Sequence, residues 1–366
     1  MGACNVERVH NVHGIPKWEE EGKMDGAGMS LQMESPAKAG EKKGISGSTI
    51  KIVAIVAMLI DHIAAVVLTR QIMAEGYADA IMGGQSSLTS WMAENGSLFM
   101  INTVMRAIGR LGFPIFCFLL VEGFGRSRNI RKYALRLGLF ALISEIPFDL
   151  ALTGRWWYTG YQNVYFTLLL GLLALCGYGF FVKYEKREDG NDLPGALRMG
   201  LTLTGVLSPA AFVILCMAIP SGNRQIRDLA MTGAVVCGLT AAALAVYGKK
   251  RGFRRVQTAC ASMTVLIIMM VLAEMLRTDY GAMGVLTITA MYLFQKSRAA
   301  SMAVGCVVLT LMSLSELPAF FALIPAALYN GRRGLKLKYV FYAFYPVHLF
   351  LLYLMLLLLG LDTVLL

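Results

Sequence analysis

Charged side chains are scarce in this chain of 366 residues: Asp, Glu, Lys and Arg make up 16% of it, whereas 57% of its residues are hydrophobic. A soluble globular domain carries about 25% charged residues. This shortage excludes an ordinary soluble domain, and the apolar runs of near-membrane length that recur along the chain indicate membrane-crossing helices. We therefore predict an all-α fold, a polytopic transmembrane helix bundle whose first partner is the lipid bilayer.

Several site signatures are also lacking. The seven cysteines show no metal-ligand spacing and fall mostly inside apolar segments, which predicts small packing residues rather than a zinc site or a disulfide framework, so no metal is expected. A Gly-rich phosphate loop is missing. The formal net charge of +11 comes without a zinc-finger or RNA-binding signature, so no nucleic-acid partner is expected.

Apolar segments divide the chain into 10 or 11 predicted spans. The uncertainty in the count comes from two short segments, which Ser315, Glu316 and Pro318 separate. These two short segments predict two short helices, a re-entrant pair or one kinked span. The predicted spans lie near residues 50–68, 107–124, 133–152, 163–182, 198–219, 229–247, 258–276, 282–295, 300–314, 316–328 and 339–360.

Two regions differ in composition. Residues 1–48 are rich in Gly, Glu, Lys and Ser and show no apolar periodicity, which predicts a disordered polar tail. Residues 49–366 form the predicted multi-pass membrane domain. No internal repeat is evident in it, which weakens a transporter interpretation based on inverted halves.

Basic residues are concentrated in three short loops, at 123–136, 248–255 and 330–338. Because Lys and Arg near helix ends stay in the cytoplasm, these loops and the N-terminus are predicted to be cytoplasmic. The connecting segments with few basic residues are 69–105, 153–162 and 220–228.

Two of the four histidines, His62 and His348, lie inside membrane-length apolar segments. An ionisable group at bilayer depth costs several kcal/mol unless it is paired or hydrated, so a function is its first interpretation. Histidine is also the side chain best suited to proton transfer near neutral pH. The alternative is a histidine that only bonds across helices.

Further polar side chains interrupt the predicted spans. Arg106 and Arg110 are spaced to share a helix face, and Pro114 after them predicts a kink. The set forms either interhelical ion pairs, such as Asp61 with Arg110, or a polar cavity open to water, and the number of charges favours the cavity. Its other members are Glu122, Arg136, Glu145, Asp149 and Asn163.

Long blocks of the sequence are similar to one known family. The blocks are MLIDH (58–62), RAIGRLGFPIFCFLLVEGF (106–124), KYALRLGLFALISEIPFDLA (132–151), NVYFTLLLG (163–171), YGAMGVL (280–286) and YNGRRGLKLKYVFYAFYPVHLFLLY (329–353). Their residues and their order resemble the TraX family, the conjugal-transfer pilin acetylation protein and its bacterial relatives. Relative to the family core, residues 183–258 look like an enlarged middle.

This resemblance implies a membrane-bound acetyltransferase of the bacterial cell membrane, which takes acetyl groups from cytosolic acetyl-CoA. The acceptor stays open, either a peptide amine as on a pilin or a hydroxyl of a cell-surface glycan. The family's polar signature falls on Asp61, His62, Arg106, Arg110, Pro114, Glu122, Arg136, Glu145, Asn163, Asn330, Arg333, Pro346 and His348.

Roles can be assigned as predictions. His62 is the predicted base or proton shuttle, with His348, Asp61 and Glu122 as further catalytic candidates. Direct transfer and a covalent acetyl-histidine both remain open. Cations for the thioester oxygen or the phosphates of coenzyme A are Arg106, Arg110, Arg126, Arg128, Arg131, Lys132, Arg332, Arg333, Lys336 and Lys338. The predicted substrate-contacting or structural polar core is Arg136, Glu145, Asn163 and Asn330.

Two other functions fit part of the sequence. A proton-coupled transporter also places His, Asp, Glu and Arg inside the membrane. A non-catalytic scaffold for surface assembly keeps the ion pairs but tolerates loss of both histidines. Consumption of acetyl-CoA separates acetyl transfer from these two alternatives.

Overall fold

A computed structural model describes residues 44–185, 199–200, 249–250, 252–335 and 338–364. Within these ranges every regular element is a helix, and the only β-pairings are two isolated bridges. The predicted all-α class is confirmed. The helices are α1 (Gly47–Ile63), α2 (Thr69–Ala74), α3 (Tyr77–Met82), α4 (Gln85–Gly109), α5 (Gly112–Arg126), α6 (Ile130–Thr153), α7 (Val164–Glu185), α8 (Phe253–Met275), α9 (Gly281–Leu293), α10 (Arg298–Met312), α11 (Leu323–Leu328) and α12 (Lys338–Leu359).

Five helical stretches of the described part are long and apolar enough to cross a membrane: Gly47–Ala74, Gln85–Arg126, Val164–Lys183, Arg254–Met275 and Tyr339–Leu359. Shorter apolar helices cover Gly281–Leu293, Arg298–Met312 and Leu314–Leu328. The protein is thus a multi-pass membrane protein. The predicted spans near 198–219 and 229–247 lie outside the described residues.

The prediction of a connecting segment at 69–105 was wrong, because α2, α3 and most of α4 occupy it. The polar stretches QSS and ENGS concealed α4 by breaking up the apolar run. Packing stabilises α4 despite its polar composition. Trp91 is buried with Ile72 and Ala80, and its indole Nε1 donates to the Glu75 carbonyl at 2.7 Å.

The sequence predicts a kink at Pro114, and the structure has a break in the helix just before it. The helix is interrupted at Arg110 and Leu111, between the end of α4 and the start of α5. Pro114 has no N–H to bond the Arg110 carbonyl, and its ring crowds that carbonyl, so the break falls four residues before the proline.

The segment around Pro318 forms two short helical pieces after α10. A 3₁₀-helix runs over Leu314–Ala322 and continues into α11. The Cys306 thiol of α10 donates to the Ala319 carbonyl at 3.2 Å, so the segment folds back against α10. Cys117, Cys260 and Cys306 are buried, as expected for packing residues.

The N-terminal edge of the bundle is ordered earlier than predicted. Ile45 pairs with Tyr329, and the Gly47 N–H donates to the Arg332 carbonyl at 2.7 Å. Ser46 caps α1 by accepting from the Thr49 N–H. Residues 44–48 therefore belong to the folded part rather than to the predicted tail, whose remainder lies outside the described residues.

The helix ends gather into two groups. We call the group formed by residues 44–48, 126–132, 295–298 and 329–335 the basic end. Contacts such as that of Ile45 with Tyr329 unite it. We call the group formed by residues 153–163, 276–280 and 313–316 the far end, where Gln162 pairs with Thr278.

The positive-inside rule predicts that the basic end faces the cytoplasm. Single cysteines introduced at Arg128 and Gly331 should therefore resist an impermeant thiol reagent in intact cells and react after lysis, whereas one at Gly154 should react in both. The four described native cysteines are buried or half-buried, and a cysteine-free chain supplies the background. Labelling at Arg128 or Gly331 from outside would reverse the predicted topology.

Candidate functional site

The two histidines predicted to be functional meet in the bundle. His62 on α1 and His348 on α12 are 286 positions apart, yet His62 Nδ1 lies 2.6 Å from His348 Nε2. Their rings stack with centroids 4.9 Å apart and planes at 20°. His348 is only 4% exposed, whereas His62 is half-buried. One ring is therefore enclosed and the other has an open side.

Hydrogen-bond partners determine the protonation pattern of the neutral pair. His348 Nδ1 lies 2.8 Å from the Phe344 carbonyl, which only accepts, so Nδ1 carries the hydrogen. His348 Nε2 is then an acceptor, and His62 Nδ1–H donates to it. The one ring nitrogen with a free lone pair is then His62 Nε2. This arrangement makes His62 a base whose orientation is set by a second histidine.

The local sequence of α12 explains how the backbone supports this geometry. Pro346 has no N–H, so the carbonyl of Tyr342 lacks its usual helical donor. The Tyr165 hydroxyl of α7 donates to that carbonyl at 3.2 Å. Phe344 stacks on His348 with centroids 4.7 Å apart, and Tyr345 packs edge-on against His62 at 5.8 Å. Aromatic side chains thus hold both imidazoles.

A π-helix over Ala64–Leu68 begins two residues after His62. Such turns are frequent at functional sites. Arg70, only 1% exposed, fixes the chain beyond it through four carbonyls: those of Val66 (3.1 Å), Ala151 (2.7 Å), Leu152 (3.0 Å) and Val364 (3.2 Å). Sequence reasoning missed Arg70, although an arginine at the end of an apolar run was a visible signal.

Two ion pairs lie beside the histidines. Arg106 contacts Asp61 at 2.7 Å, and Arg110 contacts Glu316 at 2.8 Å. Asp61 was expected to pair with an arginine of another helix, and it does so with Arg106 rather than with Arg110, the example predicted. Gly109 makes this approach possible, because a Cβ there would overlap the Asp61 carboxylate.

The far end adds polar groups that sequence reasoning missed. Tyr161 donates its hydroxyl to Asp279 Oδ1 at 2.7 Å, and the Arg110 guanidinium interacts electrostatically with the Tyr280 hydroxyl. Burial raises the pKa of Asp279, while the Tyr161 hydroxyl and the Arg110 guanidinium oppose that rise. The sequence offered one signal for Asp279, namely its position directly before the YGAMGVL block. The polar cluster therefore reaches from the histidines to this end of the bundle.

Glu122, the other acid predicted to be catalytic, lies at the basic end instead. It pairs with Arg126 at 2.6 Å and approaches Arg298 at 3.9 Å. Arg126 donates to the Gly331 carbonyl at 2.7 Å, and Arg298 donates to the Tyr329 carbonyl at 2.8 Å. Twelve helical residues, about 18 Å, separate Glu122 from Arg110. The structure does not bring Glu122 to the histidines.

The predicted polar core divides into separate sites. Asn163 donates to the Ala141 carbonyl at 2.8 Å and to Glu145, and both of these side chains are buried. Arg136 interacts electrostatically with Tyr342 and lies 5.9 Å from the ring of Tyr133. Asn330 donates to the Gly44 carbonyl at 3.0 Å, at the basic end. These contacts hold helices and loops together.

The cations predicted to bind coenzyme A also fall into two sets. Arg106 and Arg110 lie near the histidines, whereas Arg128, Arg131, Arg332 and Arg333 are exposed at the basic end with Arg126. From Arg110 to Arg126 the chain rises by about 24 Å. A single phosphate cannot contact both sets. Among the described residues no group of three or more His, Cys, Asp or Glu is placed to hold a metal ion.

Comparison with known proteins covers most of the chain. The family model described as TraX protein matches residues 46–180 and 198–356. The chain belongs to the TraX family. Both histidines, both ion pairs of the site and all of the basic end from residue 46 on lie within the match. Of the segment 183–258, predicted to be enlarged relative to the family, the match omits only the part before residue 198.

One relative is the "Probable fimbrial assembly protein FimC, serogroup H1" of Dichelobacter nodosus, which is 35% identical over 137 residues. The similar region is 36% of this TraX-family chain and 45% of the relative. The chain thus matches less than half the length of that relative. No solved structure matches.

Proposed function

We propose that this TraX-family protein transfers an acetyl group from cytosolic acetyl-CoA to an amine or hydroxyl acceptor. The observation that carries this proposal is the histidine pair, which leaves an oriented lone pair on the half-buried His62. Membership of the family adds support, because the family includes proteins of pilin acetylation. The test is acetyl-CoA turnover by the purified protein.

The pair suits both proton steps of the reaction. The acceptor N–H or O–H gives its proton to His62 Nε2 while the acceptor atom attacks the thioester carbon. The C–S bond then breaks, and His62 returns the proton to the sulfur of coenzyme A. During this interval His62 is an imidazolium, and its Nδ1–H bond to His348 Nε2 stabilises it. A covalent acetyl-His62 intermediate uses the same lone pair.

Arg106 is the group best placed to stabilise the developing oxyanion. It pairs with Asp61, the residue next to His62, and its side chain is about a third exposed. A guanidinium offers several donors, so it can keep Asp61 and still donate to an oxygen. Arg110 has less freedom, because it pairs with the buried Glu316 at 2.8 Å.

The donor is proposed to dock by its phosphates at the basic end. Arg128, Arg131 and Arg333 are exposed there and make no ion pair among the described contacts. His62 is fifteen residues into α1, about 22 Å from its start. The thioester arm of the donor must therefore extend into the bundle from the basic end to reach His62.

The acceptor is proposed to be the amine of a pilin-like peptide or a hydroxyl of a surface glycan. Support for a surface structure comes from the relative whose name refers to fimbrial assembly. The polar groups around Asp279 and Tyr161 give this acceptor a route from the far end. Donor and acceptor then approach the histidines from opposite ends of the bundle.

Charge reversal at the basic end should weaken acetyl-CoA binding. Arg128→Glu, Arg131→Glu and Arg333→Glu are each expected to raise the Kd, and the increase should be larger at low salt, where screening is weaker. Arg155→Glu is the matched control, since Arg155 is also exposed but lies at the far end. Titration calorimetry measures the Kd. Unchanged affinity in all three variants at low salt would remove these residues from the donor site.

His348→Ala should lower turnover less than loss of His62 does, and it should raise KM. It removes the acceptor of the His62 Nδ1–H bond but leaves the base itself. His348→Gln should recover part of the loss, because its side-chain oxygen can accept the same bond. Steady-state kinetics with both variants tests this positioning role. A Gln variant no better than the Ala variant would contradict it.

A further inference from the structure

Two tryptophans project from the loop that joins α6 to α7 at the far end. Trp156 is 73% exposed and Trp157 is 53% exposed, although the chain has only four tryptophans. Trp91, by contrast, is buried beneath Tyr77 and Phe99 with its indole N–H bonded. Large aromatic side chains are usually packed or matched to a partner, so the exposure of Trp156 and Trp157 indicates a binding partner.

The loop is held in place by its backbone. The Tyr158 N–H donates to Asp149 Oδ2 at 2.7 Å. Gln162 exchanges two backbone hydrogen bonds with the neighbouring turn, from its N–H to the Arg277 carbonyl at 3.0 Å and to its carbonyl from the Asp279 N–H at 2.9 Å. The tryptophans therefore project from a fixed loop.

Apolar surface continues from the loop along the neighbouring helices. Leu142 and Ile146 of α6 are exposed, and so are Met275 and Leu276 where α8 ends. In a multi-pass membrane protein such a surface faces lipid. Tryptophan and tyrosine concentrate where this surface meets water, because their rings are apolar and their N–H or O–H group stays hydrated.

We infer that the loop of residues 154–162 is a lipid-interface anchor, which inserts Trp156 and Trp157 into the headgroup region of the leaflet at the far end. The loop also carries a cation, Arg155, which lies 5.5 Å from the ring of Tyr158 and is exposed for a headgroup phosphate. The binding partner of this loop is the lipid bilayer, and the two tryptophans lie at the depth of its headgroups.

This anchor sets the depth of the far-end polar groups. Tyr161 follows Trp157 within the same loop and bonds Asp279. With the tryptophans among the headgroups, the contact of Tyr161 with Asp279 lies at the membrane surface, where water reaches it. The half-buried Asp279 carboxyl at the end of the bundle then needs no ion pair across the hydrocarbon core.

Fluorescence quenching in lipid vesicles tests the depth. The full chain is reconstituted in lipids brominated either near the headgroup or deep in the acyl chain. The difference in emission between the unmodified chain and a W156F/W157F variant isolates the two loop tryptophans, since Trp18 and Trp91 remain in both. Phe at these exposed positions leaves the packing unchanged.

Shallow bromine should quench the difference signal more than deep bromine, and aqueous iodide should quench it less than it quenches free tryptophan. Strong iodide quenching without bromine quenching at either depth would place the loop in water, free for a protein partner, and would overturn the inference. Stronger quenching by deep bromine would overturn it too, by placing the loop in the hydrocarbon core.

Discussion

Replacing His62 with alanine is expected to lower acetyl transfer by roughly 10²–10⁴-fold, the range for loss of a general base. The reason is that His62 Nε2 holds the only lone pair that the bonded histidine pair leaves free. The variant should insert in the membrane and bind acetyl-CoA as before, because the basic end lies about 22 Å from His62. Turnover of purified protein measures the loss.

His13→Ala is the matched control for this variant. His13 lies in the polar N-terminal segment, so its loss should leave turnover unchanged. A normal rate in His62→Ala, with correct insertion, would make the pair a structural contact and move the catalytic assignment away from His62.

The second large effect concerns stability. Glu316 is 2% exposed and pairs with Arg110, so Glu316→Gln leaves a cation without its charged partner. Breaking a buried pair on one side costs about 3–5 kcal/mol. A clear fall in Tm is therefore expected when unfolding is followed in detergent. Two helical segments, the α4–α5 junction and the 3₁₀-helix Leu314–Ala322, would lose their link.

Two comparisons make this experiment specific. Arg110→Met with Glu316→Leu removes both charges and should recover much of the lost stability. Glu122→Gln breaks a pair whose Arg126 is half exposed, and such pairs contribute about 0–1 kcal/mol. Equal destabilisation by Glu316→Gln and Glu122→Gln would show that burial does not set the cost at Glu316.

The sequence predicted the fold class and the residues of the pair for a physical reason. Apolar length identifies spans, and a histidine inside such a length is conspicuous. The same criterion missed α4, whose stability comes from packing around Trp91 rather than from its own apolar content. It also missed Asp279, because an acid in a turn between helices looks solvated until its neighbours are known.

The sequence could not predict which charged side chains form ion pairs, for a different reason. Asp61 could pair with either of two arginines four residues apart, and only the structure shows that Arg106 contacts Asp61 while Arg110 contacts Glu316. Glu122 shares the block 106–124 with Arg106 and Arg110, but the structure places Glu122 at the basic end and the two arginines beside the histidines. The division into a far end and a basic end is a property of the assembled helices.

The most direct test of the account is release of coenzyme A from acetyl-CoA by the purified protein, measured with a pilin-like peptide amine and with a glycan acceptor. The account predicts release that requires one of these acceptors, that transfers acetyl to it in equal amount and that falls by roughly 10²–10⁴-fold in His62→Ala. Release at the same rate from the unmodified chain and from His62→Ala, or binding of acetyl-CoA without transfer to either acceptor, would contradict it.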